Sequence, residues 1–311
     1  MRLSNLATDA ILSYSSAMFD LKAYLAEQRR VVESALDEHM PTDTERPSVL
    51  HQAMRYCVFS EGKRIRPILC LATARAIDPN SQDALMPGLA LEVFHSSTLV
   101  HDDLPAMDDD DMRRGQPAAH IQFGEANAIL VGDALLTLAF EWLAQCTAPP
   151  PYLPGQFSME LAQAGGSHGV IAGQYEDLAA PMQTPNAALL DFIHLHKTAA
   201  LIRAATRMGA IAARANSEEL DACSLYGCNI GLAFQITDDI LDETSDSETI
   251  GKPVGSDRKN NKLTYVSLHG LDSARQRAEQ IIAEACDALD RLPGDTTPLL
   301  AIARYIVERT H

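Results

Sequence analysis

The sequence predicts an all-α protein, a bundle of roughly ten or more helices. Three observations lead there. One stripe runs through Leu21, Leu25, Val32, Leu36 and His39 at steps of three, four and seven, the spacing of a helix face. Long stretches rich in Ala, Leu, Ile and Met, with few runs of β-branched residues, cover 85–104, 126–146, 187–214 and 219–243. No segment alternates with period two, so no sheet is expected.

The breaks between these elements are chemical. Pro41 to Pro47 is a polar loop, and Asp78-Pro79-Asn80 makes a turn. The run Pro149-Pro150-Pro151-Tyr152-Leu153-Pro154-Gly155 cannot be helix, because proline lacks the amide donor and clashes with the preceding turn. Thr184-Pro185 has the form of an N-cap followed by proline at the first helical position. Residues 244–262 are charged, polar and Gly-containing, and predict a mobile loop. None of these breaks divides segments of different composition, so one domain over 1–311 is expected.

Composition narrows the function. The 311 residues are 46% hydrophobic, ample for a core, and carry a formal net charge of -17. A nucleic-acid partner is not expected, because such proteins present a basic face. Anionic substrates remain compatible, since local basic clusters override the global field. The start, MRLSNLATDAILSYSS, holds one early Arg and no sustained apolar run, which is not the form of a signal peptide. The most apolar stretch, Ala126 to Phe140, is interrupted by Asp133 and is shorter than the roughly 20 residues a membrane span needs. The expectation is a cytoplasmic protein without a membrane anchor. Cys57, Cys70, Cys146, Cys223, Cys228 and Cys286 form no CxxC pair and are expected to be reduced thiols.

Two acidic clusters each follow an apolar helical run. The first is His101-Asp102-Asp103-Leu104-Pro105-Ala106-Met107-Asp108-Asp109-Asp110-Asp111, and the second is Gln235-Ile236-Thr237-Asp238-Asp239-Ile240-Leu241-Asp242. Asp238 and Asp242 are four apart, so they share a helical face. Asp102 and Asp108 are six apart, which an unbroken helix would separate. Pro105 disfavours helix at Leu104, so the helix should end there and the turn should carry Asp108 back beside Asp102. Clustered carboxylates in apolar surroundings repel one another and resist burial, a conflict that a hard divalent cation resolves. Magnesium suits a few carboxylates, retained waters and substrate phosphates. The alternative is a pair of solvated acidic helix ends. A calcium loop is disfavoured, because the alternating D-x-D-x-D-G pattern and its closing Glu are missing.

Basic groups punctuate this acidic chain. Gly62-Lys63-Arg64-Ile65-Arg66-Pro67 precedes an apolar run, Arg113-Arg114-Gly115 follows the first acidic cluster, His196-Lys197-Thr198 opens an Ala-rich stretch, and Lys252 and Lys262 flank the polar loop. Arg suits bidentate phosphate contact and Lys supplies a flexible point charge. Each alone could be a solvated surface charge, and Arg113 and Arg114 could simply pair with the neighbouring aspartates. Together with two metal-binding carboxylate clusters, they are what two diphosphate substrates require.

As a set, these motifs resemble the trans-prenyl diphosphate synthases over nearly the whole chain from about Leu21. The residues 62–67, the aspartates 102, 103 and 108 with Arg113-Arg114-Gly115, then His196-Lys197-Thr198, Phe234-Gln235, Asp238 to Asp242 and Gly251-Lys252 follow the family's order. Phe123-Gly124-Glu125-Ala126-Asn127-Ala128-Ile129-Leu130 is similar to the bacterial farnesyl diphosphate synthases in particular. The resemblance implies an all-α isoprenoid-synthase bundle around a central cavity, usually homodimeric. It implies magnesium on Asp102, Asp108 and Asp238, with Asp103, Asp239, Asp242 and Lys197 completing the catalytic set. It implies an isopentenyl diphosphate pocket at Gly62, Lys63, Arg66, His95 and Arg114. Arg113, Lys197, Thr198, Gln235, Lys252 and Lys262 would hold the allylic diphosphate.

A terpene cyclase shares the first acidic motif, but lacks the Gly-Lys-Arg motif and replaces the second aspartate motif. A non-enzymatic acidic metal-binding bundle gives no reason for Gln235, Lys197 and Arg66 to occur together. Product length turns on the helix before Asp102. Five residues earlier, where bacterial farnesyl synthases commonly carry an aromatic stop, stands Ser97, with the small Thr98 beside it and Phe94 one turn deeper. The expectation is a C15 product, with C20 as the alternative.

Overall fold

The computed structural model describes residues 19–244 and 263–308. The predicted loop with Lys252 and Lys262, and the segment before Phe19, lie outside the described residues. Among the described residues there are fourteen α-helices. They run α1 (Leu21–His39), α2 (Ser48–Val58), α3 (Ile65–Ile77) and α4 (Leu85–Asp102). A small ribbon follows, β1 (Met112–Arg113) and β2 (Gln116–Pro117), then α5 (Ala119–Phe123), α6 (Glu125–Ala144), α7 (Gln156–Gly165) and α8 (Val170–Ala179). The chain continues with α9 (Ala187–Ile193), α10 (Ala200–Ala212), α11 (Ser217–Thr244), α12 (Tyr265–His269), α13 (Leu271–Ala288) and α14 (Thr297–Glu308).

The pattern of burial explains the arrangement. Eleven of the thirteen residues of α10 are buried, so this helix is enclosed on all sides, by α3, α7, α11 and α4. By contrast α1 buries one stripe, Gln28, Val32, Ala35 and Leu36, and lies at the periphery. Glycines permit the closest crossings. A Cβ on Gly209 would stand 2.2 Å from the Cys70 carbonyl oxygen, and one on Gly231 would stand 2.5 Å from Ala199 Cα. The second contact seats α11, which carries the second acidic cluster, directly on the segment bearing Lys197 and Thr198.

Four expectations change. First, β1 and β2 form an antiparallel pair, Met112↔Pro117 and Arg113↔Gln116, where no sheet was expected; two residues per strand leave no period-two signal to read. Second, the N-cap before α9 is Asn186, whose side chain accepts from Leu189 N–H at 2.9 Å, and not Thr184. Third, 187–214 is not one regular helix. A π-helical turn, His194–Ala199, separates α9 from α10. Fourth, α6 is a 20-residue helix, long and apolar enough by length and composition to cross a membrane. It continues past Phe140 to Ala144; in this fold it packs chiefly against α4, and its residues Ala128, Val131, Leu135 and Trp142 are buried.

Candidate active site

The first acidic motif folds as Pro105 dictates. Helix α4 ends at Asp102, and the Asp108 N–H donates to the Asp102 carbonyl at 2.9 Å, closing the turn that returns Asp108 to Asp102. The two neighbouring aspartates take different parts. Asp103 is buried, and its carboxylate accepts from Arg113 Nε at 2.9 Å and from Arg113 Nη2. Asp103 therefore serves Arg113, whereas Asp102 is half-buried and lies within electrostatic reach of Lys197 and Asp108.

The ribbon sorts the two arginines. Arg114 and Gly115 form its two-residue turn with φ of 51° and 80°, the left-handed pair that suits a tight hairpin. Arg113, on β1, reaches back to Asp103 and to Asp110 at 3.3 Å. Arg114 points the other way, with Nη1 donating to Ser60 Oγ at 3.4 Å and Nη2 lying 3.5 Å from His95 Nε2. The structure thus sends the pair to different neighbourhoods.

His95 and Arg66 share the Arg114 neighbourhood. Burial, then Arg66 and Arg114, hold His95 well below its ordinary range, so the imidazole is neutral at pH 7. Burial lowers Arg66 to about 10, and it stays charged at neutral pH. Gly62 is pressed by the Arg114 guanidinium: a Cβ would meet Nη1 at 2.7 Å and displace it. Lys63 is exposed, its ammonium 5.9 Å from the Tyr305 ring centre.

Elsewhere in the chain, Lys197 Nζ donates to Asp177 Oδ2 at 2.6 Å, and Thr198 Oγ1 donates to Gln235 Oε1 at 2.9 Å. The π-helical turn sets both side chains, and such turns are frequent at functional sites. Asp177 was not singled out by sequence reading, because its partner lies 20 residues away. In the second motif Asp238 and Asp242 lie half-buried on α11, four residues apart as expected. Asp239 is buried; it accepts from Tyr265 N–H at 2.8 Å and from Gln235 Nε2 at 3.4 Å, and His194 Nε2 lies 3.7 Å from it. It ties α11 to the start of α12.

Among the described residues no group of three or more carboxylates, imidazoles or thiols stands ready to hold a metal alone. The donor set still fits magnesium. Asp102 and Asp108 are hard oxygen donors joined by one turn, and this ion keeps waters and binds substrate phosphates instead of filling an all-protein cage. Burial pushes Asp102 up to about 6, with Asp108 adding to the rise and Lys197 opposing it. A carboxylate must be ionised to ligate, so protons compete with metal below that value. Magnesium affinity, measured by titration calorimetry, should be flat above roughly pH 7 and fall about tenfold per unit below roughly pH 6. Asp102→Asn should abolish that dependence, and equal affinity for the unmodified chain at about pH 5 and pH 7.5 would refute the role given to Asp102.

Comparison with known proteins agrees with this geometry. A family model described as Polyprenyl synthetase matches residues 47–293. Geranylgeranyl pyrophosphate synthase 7, chloroplastic, of Arabidopsis thaliana is 41% identical over 295 residues, covering 94% of this chain and 84% of the relative. The geranylgeranyl diphosphate synthase of Cyanophora paradoxa is 41% identical over 295 residues, covering 94% of this chain and 98% of the relative. A solved FPP/GFPP synthase from Zymomonas mobilis superposes with a TM-score of 0.82 at 35% identity, covering 92% of this chain and 98% of that one. An aspartate motif at the end of α4 within electrostatic reach of Lys197 and Arg113, and a second one near the end of α11, belong in this company: the chain is a member of the polyprenyl synthetase family, a trans-prenyl diphosphate synthase that joins isopentenyl diphosphate to allylic diphosphates.

Proposed function

We propose that this chain is a magnesium-dependent geranylgeranyl diphosphate synthase, extending allylic diphosphates to C20. The observation that carries the chain length is Ser97. It is 1% exposed, stands five residues before Asp102, and offers no aromatic stop where one would limit the product to C15. The names of the Arabidopsis and Cyanophora relatives support the same length over the C15 expectation.

In this reading Arg113, Lys197, Thr198 and Gln235 hold the allylic diphosphate, and Asp102, Asp108 and Asp238 hold magnesium. The ion supplies positive charge against the departing diphosphate. Asp177 pairs with Lys197 and Asp103 with Arg113, which fixes both cations before substrate arrives, so little reorganisation is needed when charge develops. The allylic C–O bond breaks with its electron pair leaving on the diphosphate. The isopentenyl double bond attacks the resulting cation, and the proton then lost goes to the released diphosphate. No side-chain base is required, which suits a site where His95 is neutral and sits among guanidiniums. A homodimer is part of the proposal, supported by the exposed Ile129 and Leu130 on the outward face of α6.

Incubation with isopentenyl diphosphate, magnesium and geranyl or farnesyl diphosphate tests the reading. C20 diphosphate should dominate; accumulation of C15, with farnesyl diphosphate left unextended, would overturn it. The two pockets are tested separately. Arg66→Ala should raise the Michaelis constant for isopentenyl diphosphate by roughly 10-fold or more, the scale of a lost charge-assisted contact, while that for the allylic substrate stays within about twofold. An effect confined to the allylic substrate would show the pockets reversed.

A further inference from the structure

Three guanidiniums crowd the pocket assigned to isopentenyl diphosphate, and one fully enclosed carboxylate stands among them. Arg64 side-chain exposure is 0% and Glu92 side-chain exposure is 2%, and they pair at 3.0 Å between Nη1 and Oε1. Neither residue has a role in the activity described above. Arg64 opens α3 with φ of 51°, a left-handed conformation that a bulky residue adopts only where its surroundings hold it. What holds it is visible. Nη2 donates to the Ser60 carbonyl at 3.1 Å, and Nε lies 3.4 Å from the partly exposed Glu33.

The contacts close a ring that starts and ends on α4. Glu92 accepts from Arg64, Arg64 holds the Ser60 backbone, and Ser60 Oγ accepts from Arg114. Arg114 then meets His95, three residues after Glu92 and on the same stripe as Asp102. Both Arg64 Nη1 and Arg114 Nη1 approach Gly62, to 3.1 and 2.7 Å of where its Cβ would be. Like charges so close repel unless an anion lies among them. Glu92 acts on Arg66 and Arg114 in that sense, favouring the charged form of each.

We propose that Glu92 is a positioning residue for the isopentenyl diphosphate pocket: through Arg64 and Ser60 it fixes the Arg114 guanidinium beside His95, and its charge keeps the three guanidiniums packed before substrate arrives. The proposal rests on the assignment of that pocket to isopentenyl diphosphate. Glu92 touches no substrate in this scheme, so its loss acts on one Michaelis constant and not on the chemical step.

Glu92→Gln preserves shape and leaves Arg64 its contact with Glu33. In steady-state assays with the full chain, it should raise the Michaelis constant for isopentenyl diphosphate about tenfold or more, with kcat and the constant for geranyl diphosphate within about twofold. A purely structural pair behaves differently. Replacing both buried charges, Arg64→Met with Glu92→Leu, can restore stability lost to an unpaired charge, yet it removes the strut to Ser60. The double variant should therefore keep the raised constant for isopentenyl diphosphate. An unchanged constant in Glu92→Gln, or a normal one in the double variant, overturns the proposal. Should Glu92→Gln not fold, Glu92→Asp and the double variant decide by the same readout. Failure of the unmodified chain to make prenyl diphosphate would instead refute the function, so the two failures are distinct.

Discussion

Alanine at Asp102 is expected to lower kcat by about two orders of magnitude or more without lowering the melting temperature. The first half follows from charge. Asp102 is proposed to hold magnesium at the point where the diphosphate leaves, and a group that stabilises only the transition state shows its loss in kcat. A factor of 100 is about 2.7 kcal/mol, within reach of a single removed electrostatic contact. The second half follows from burial. The folded chain raises Asp102 from 3.8 to about 6, so the folded state binds this proton more tightly than the unfolded state. Stability from this group is present at low pH and lost as pH rises from about 4 to about 6. At pH 7 the ionised carboxylate is a strain on the metal-free fold, and its removal should leave the melting temperature equal or higher, a trade of stability for activity. Asp238→Ala should show a comparable loss of turnover with its helical circular dichroism retained. Kinetics and thermal melts of the metal-free variants check both, and near-normal turnover in either one would sink the assignment of magnesium to these carboxylates.

What the chain disclosed about this site followed the range over which its physics acts. Local steric rules carried far. Pro105 announced the end of α4, and the Asp108–Asp102 hydrogen bond is its result. The four-residue step from Asp238 to Asp242 lies on α11 as expected. Adjacent aspartates were harder, because neighbours on a helix point about 100° apart. Thus Asp102 and Asp238 could be grouped with Asp103 and Asp239 by sequence, whereas the fold gives Asp103 to Arg113 and Asp239 to Tyr265. Arg113 and Arg114 are told apart in the sequence only by the family resemblance; physically, the left-handed turn at Arg114 sends them to different partners. Least legible were residues whose meaning lies in a distant partner. Asp177 meets Lys197 across 20 residues, and Glu92 meets Arg64 across 28. An acidic residue in an apolar helix gives no hint of which cation it will face.

Tyrosine at Ser97 should shorten the product to C15, and alanine at Phe94 should lengthen it beyond C20. The two residues lie three apart on α4, and both are buried, Phe94 at 3% and Ser97 at 1% exposed. The Ser97 hydroxyl donates to the Phe94 carbonyl at 2.7 Å, so it is satisfied within the helix and presents only a small side chain to its surroundings. Phe94 turns its ring onto α7 at Gly165, where a Cβ would stand 2.2 Å from Cζ. The ring thus fills the space between α4 and α7 one helical turn further from Asp102 than Ser97 does. A turn rises about 5.4 Å, close to the length of one isoprene unit. An aromatic ring at Ser97 would occupy the volume that the last unit needs, and removal of the Phe94 ring would open space for another. Phe94→Ala should also be destabilising, by about 3–5 kcal/mol, the usual cost of emptying a buried aromatic site. Phe94→Leu, with a smaller void, gives a milder variant with the same expected direction. Product analysis by chromatography, with isopentenyl diphosphate in excess, reads both changes. A product spectrum unchanged in Ser97→Tyr and in the Phe94 variants would show that this face of α4 does not bound the growing chain.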